Sequence, residues 1–219
     1  MTAYASLLIA HLLLFAYWLG GDLGVFYSSY TVADPKRSVS ERQTAASILI
    51  ALDRAPRVCL ILMLPVGVSL AAVMQQIAIG SGLLAALWIF SLIWLVMLWR
   101  IETTHDAKLK VIDGIVRCAV IAALLAGALG QLLDMGGPVA SDWVALKMLI
   151  FAVAIGCGLM IRKLFGPFGP AFGALVTSGS TPEIEQTIDE SLRRTRPFVI
   201  LIWISLIAAA AVAAVKPAL

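Results

Sequence analysis

The stretch HLLLFAYWLGGD, His11 to Asp22, is apolar enough to lie in a bilayer, yet it opens on an imidazole and closes on a carboxylate. A neutral imidazole can ligate a metal or haem iron, or hydrogen-bond a carbonyl; a carboxylate can pair with a cation or carry a proton. At about 100° per residue, Trp18 and Asp22 fall within about 20° of His11 around a helix, and Ser29 continues that face. Asp22 lies ~16 Å further along the helix axis than His11, so the two share a face without touching.

Each has candidate partners elsewhere. Lys147 follows Trp143 by four residues in DWVALK, and Gln75, Gln76 and Gln131 close other apolar runs. His11, Lys147, Trp18, Trp143, Gln75 and Gln131 drawn to one level would suit an aromatic or anionic ligand, with imidazole to a metal or carbonyl, ammonium to a carboxylate, and indoles against a ring. The competing reading is that Lys147 snorkels toward Asp142 or Asp134. Asp22 is expected to pair with Arg54 or Arg57, because an ionised carboxylate left alone there would cost several kcal/mol.

Other chemistry-bearing residues point to structure. His105, in IETTHDAKLK, reads as a solvated loop residue or a partner of Asp106. Asp106, Lys110, Asp113 and Arg117 have the spacing of ion pairs that lead a helix into the membrane interface. Met74, Met135 and Met148 leave a soft copper site with His11 open, although packing is the simpler role for methionine. Cys59, Cys118 and Cys157 fall on separate segments with no paired spacing and read as buried small apolar residues. No Walker loop, nucleophile elbow or HExxH pattern occurs.

The elements that must position these residues follow from composition. Of 219 residues, 61% are hydrophobic and 13% charged, more apolar surface than one water-soluble core can bury, so the chain reads as one all-α integral membrane domain over residues 1–219. Six segments of about the length that spans a hydrocarbon slab run near 4–26, 57–76, 81–100, 111–133, 143–163 and 197–215. The first lacks a basic flank and a small-residue cleavage site, so it is expected to be a span and not a signal peptide.

With six alternating spans, every one of the sixteen basic residues except Lys147 and Lys216 falls on one side. The positive-inside rule then places both termini outside and the basic connections in the cytoplasm, as in a bacterial inner membrane. The net charge of +3 accordingly signals topology and contact with anionic lipids, with no indication of nucleic-acid binding.

Two cytoplasmic interfacial helices are expected, near 40–54 and 181–194, both introduced by capping-box spacing. Both carry a Gln-Thr pair, Gln43-Thr44 and Gln186-Thr187, and both run to a proline, Pro56 and Pro197. The first two spans with their linker therefore resemble a repeat of the last two. GPFGPAFGAL reads as a loop, Pro65 as a kink in the second span, and Ala122, Ala126, Gly130 and Ala152, Gly156 as ridges for close helix contact.

His11, then Trp18-Leu19-Gly20-Gly21, resembles the first-helix signature of the copper-resistance protein D family and, more distantly, the HemJ-type membrane protoporphyrinogen oxidases. Trp143 and Lys147 are similar to the Trp and Lys that open a late helix in the HemJ type. The resemblance covers about two of the six spans. It implies a helical bundle that holds b-type haem or a porphyrin through His11, with Lys147 as a second site residue, or a route for copper. The leading expectation is a membrane redox or haem-handling protein with its site near the outer leaflet. The alternatives are a copper or solute permease, and a non-catalytic subunit that docks a partner or a second copy through its basic face. The sequence leaves open whether the chain is an enzyme.

Overall fold

Thr2 accepts a hydrogen bond from the Ala5 amide and starts α1, Ala3–Ala33, which runs without a break until the Asp34-Pro35 step. This computed structural model describes residues 2–217. Ser38 and Glu41 close a reciprocal capping box on α2, Val39–Leu52. A single residue, Asp53, separates it from α3, Arg54–Val73. Then come α4, Ser81–Thr104; α5, Ala107–Leu132; α6, Asp142–Phe165; α7, Phe168–Ser178; and α8, Pro182–Val215.

Among the described residues the regular structure is all-helical apart from an isolated bridge between Ile77 and Val139, with six helices or helix pairs long and apolar enough to cross a membrane. The Ile77–Val139 bridge joins the α3–α4 and α5–α6 connections at one end of the bundle. At the opposite end, which carries most of the basic residues, the last turn of α1, α2, α7 and the first turns of α8 share a core of Val32, Ala45, Leu49, Phe168, Leu175, Ile188 and Leu192. Between the two ends, Trp18, Ile61, Trp94, Leu124, Ile155 and Leu206 interlock. α1 packs on α3 and α8, while α6 packs on α5 and α8.

Three features differ from the sequence reading. GPFGPAFGAL is not a loop: residues 168–178 form α7, because Phe165, Phe168, Phe172 and Leu175 recur at helical spacing and the three phenylalanine rings stack in series. Pro170 lies in the first turn of α7, where its missing N–H has no intrahelical partner to lose. The second interfacial segment and the sixth span are one helix, α8, which passes through Pro197. Cys118 is exposed, whereas Cys59 and Cys157 are buried; all three are free thiols. Pro65 lies within the continuous α3 and withholds an N–H from the carbonyl of Ile61.

Candidate functional site

His11 packs its ring on the backbone of α3 at Gly67. A Cβ at Gly67 would lie 3.6 Å from the imidazole Cε1 and 3.9 Å from Nδ1. That Nδ1 is shut off from solvent and has no hydrogen-bond partner among the described residues. Its charged neighbour is Lys147 of α6. The Lys147 Nζ sits 5.9 Å from the ring centroid of Trp143, and Lys216, just past the end of α8, places its Nζ 5.8 Å from the same ring. Lys147 forms no ion pair among the described residues.

Lys147 thus links the His11 imidazole to the Trp143 indole, which Lys216 also approaches, near the end of the bundle that holds Ile77 and Val139. Chemically, this set can accept a carboxylate on the ammonium groups, ligate or hydrogen-bond through the imidazole, and wall an aromatic ring. Lys216 was missed in the sequence because it lies beyond the last span, where only the fold shows that it reaches Trp143.

Other expected members lie elsewhere. Trp18 is buried in the mid-bundle core, edge-on to Phe151 at 6.1 Å, and Phe151 is one turn inward of Lys147. It therefore lies beneath the His11 level, on the Asp22 side of the core. Gln131 donates to Asp142 at 3.1 Å and ties the end of α5 to the start of α6. Gln75 occupies a left-handed turn position, φ 59°, and the Gln76 carbonyl accepts from the Ala140 amide, so this pair shapes the loops. Met135 is 76% exposed, and the Met148 side chain fills the space beside Gly127. Among the described residues, no three His, Cys, Asp or Glu side chains converge as metal ligands.

Asp22 is buried, but its expected ion pair is not formed. Arg54 meets Glu102 at 3.2 Å, and Arg57 meets Asp53 and, at 4.0 Å, Glu102. The competing carboxylates sit with the arginines on a partly exposed shelf, whereas Asp22 faces the interior behind them. His105 ends α4 in the left-handed conformation, φ 55°, and its backbone N–H donates to the Ile101 carbonyl, while Asp106 caps α5.

A second charged centre was only half visible. The Asp113–Arg117 spacing does form an ion pair, at 2.8 Å, but it lies inside the bundle: Asp113 has no exposed surface. Trp94 of α4 donates its indole N–H to Asp113 at 2.6 Å, and Arg162 of α6 reaches the same carboxylate at 2.5 Å. Arg117 also lies over the Trp94 ring, 5.6 Å from its centroid. Every polar group of Asp113 is thus engaged by three helices, the condition under which a buried charge holds a bundle together.

A third contact joins α2 to the first turn of α8. Arg42 of α2, 2% exposed, makes two parallel hydrogen bonds to Glu185 of α8, at 2.8 and 2.9 Å, and its Nε donates to the Val32 carbonyl. Glu185 lies outside the spans, and the hydrogen bonds from Arg42 hold its carboxyl below the usual glutamate range.

No known protein family, curated protein or solved structure matches the chain.

Proposed function

We propose that this chain is a multi-pass protein of a bacterial inner membrane, with both termini outside, that holds b-type haem or a related ring-shaped redox cofactor near the outer leaflet. The observation that carries this reading is the buried, unpartnered Nδ1 of His11 beside the ammonium of Lys147. A buried polar atom without a partner is rare in a folded protein and calls for an explanation, which a ligand atom bound at His11 would supply.

The residues fit such a group in kind: His11 would hold it by ligation or a hydrogen bond, Lys147 and Lys216 would balance its carboxylates, and Trp143 would lie against its ring. Haem bound there supplies one-electron transfer; the protein's part is to orient it, neutralise its carboxylates and keep water from the ring. Gly67 lets the imidazole rest directly on the α3 backbone, with room for no more than a methyl in ordinary van der Waals contact.

The optical spectrum of the purified protein tests this. A Soret band and a b-type pyridine haemochrome, both lost or shifted in His11→Ala, are expected. Protein without a Soret band, with a spectrum unchanged by His11→Ala, overturns the reading.

A further inference from the structure

Two carboxylates are buried in the spans among the described residues, Asp22 at 7% and Asp113 at 0% exposure, and only Asp113 has arginines on it. The Oδ2 of Asp22 is shut off from solvent and has no hydrogen-bond partner among the described residues; the buried indole of Trp18 lies beside this carboxyl, one turn earlier. The cations that face this region are committed elsewhere. From α3, Arg54 is held by Glu102 of α4, and Arg57 by Asp53 and Glu102. From α8, Arg196 rests 3.8 Å from the Tyr30 ring centroid and donates to the Ser29 hydroxyl at 3.3 Å. From α2, Arg42 is bound to Glu185. The remaining neighbours are the Cys59 thiol and the Asp53 carboxylate.

Asp22 therefore sits in an apolar interior with no counter-ion and an acidic neighbour. An ionised carboxylate there would be several kcal/mol uphill, whereas the neutral acid needs only a hydrogen bond. Access is short. Gly21 lies so close to the start of α3 that a Cβ would be 2.7 Å from Pro56 and 3.3 Å from the Leu52 carbonyl. Asp22 is thus level with the α2–α3 junction, where the side chain of Asp53 is 31% exposed.

We propose that Asp22 is a proton-binding site, a carboxyl that carries a proton inside the bundle and exchanges it with water at the basic end through Asp53. The ligand is the proton itself, and the proposal is independent of what His11 binds.

Infrared spectroscopy of the full chain in lipid vesicles tests it. At neutral pH the protein should show the carbonyl band of a protonated carboxylic acid in apolar surroundings, which shifts in D2O, moves again in Asp22→Glu and vanishes in Asp22→Asn. Asp53→Asn, which removes the exchange route, should slow the D2O shift of the band. Asp22→Asn should unfold at the wild-type temperature, because one neutral group replaces another. A wild-type spectrum without the band, a band that persists in Asp22→Asn or ignores D2O, or an Asp22→Asn protein that is destabilised or does not fold overturns the proposal.

Discussion

Arg42 and Glu185, 143 residues apart, meet through two parallel hydrogen bonds, and each is the residue immediately before a Gln-Thr pair. The two segments that the sequence presents as copies of one another are therefore joined at matching positions. The equivalence continues inward: Ala45 and Ile188, then Leu49 and Leu192, are buried at the same offset. A planar guanidinium and a carboxylate bond in this way with defined geometry, so the contact fixes register as well as proximity.

The two partners should respond unequally to removal. Glu185→Ala strands a guanidinium that is 2% exposed, and is expected to cost about 3–5 kcal/mol. Arg42→Ala leaves a carboxylate that is 18% exposed and can recruit water, so about 2 kcal/mol is expected. Thermal unfolding in detergent checks the order, and the double variant should recover part of the larger loss. The pair also sets an acid limit. The native carboxyl of Glu185 is held low by Arg42, so its contribution is complete above the ordinary glutamate value of about 4.3 and disappears as pH falls through the depressed one. The stability gap between wild type and Arg42→Ala should close on acidification.

The Asp113 centre makes a parallel prediction with a different control. Asp113→Asn leaves the buried Arg117 without a counter-charge and should destabilise by about 3 kcal/mol. Arg117→Met in the same chain should restore much of it, because an apolar side chain of similar length removes the stranded charge. Equal losses in the single and double variants would show that Asp113 acts through Trp94 and Arg162 alone.

Gly20 and Gly21 look alike in the sequence and differ in the structure. A Cβ at Gly21 would meet the Pro56 ring at 2.7 Å and the Leu52 carbonyl at 3.3 Å, neither of which can swing aside, whereas a Cβ at Gly20 meets nothing within 4 Å. Gly21→Ala is expected to cost about 1–3 kcal/mol and Gly20→Ala almost nothing. Gly127→Ala is the informative third case: its clash, 2.7 Å, is with the terminal methyl of Met148, which can rotate away. Retention of the monodisperse peak after heating ranks the three.

The contrast shows what a single sequence holds. Apolar length and capping residues are local, so the six long helices and the Ser38–Glu41 start of α2 were legible. The spacing of Phe165, Phe168, Phe172 and Leu175 was local too, but the interleaved glycines and prolines masked α7. Partners across helices were not legible, because they depend on which faces meet. Asp113 and Arg117 could be paired from spacing, while Trp94 and Arg162 come from neighbouring helices. The depth of Asp22 was legible, but the arginines at its level had Asp53 and Glu102 to choose instead.

Orientation is open to direct test. All sixteen basic residues except Lys147 and Lys216 lie toward the end that holds α2 and α7, so that end is expected in the cytoplasm, where translocation of lysine and arginine is avoided. Ser178, at the end of α7, and Ala140, beside the Ile77–Val139 bridge, are both exposed and mark the two ends. With Cys59, Cys118 and Cys157 replaced by alanine, a membrane-impermeant maleimide applied to spheroplasts should label Ala140→Cys and spare Ser178→Cys until the membrane is opened. The reverse pattern would invert the bundle and turn the His11, Lys147 and Trp143 cluster toward the cytoplasm. Labelling of both positions in sealed spheroplasts would place the two ends on the same side, which six alternating spans do not allow.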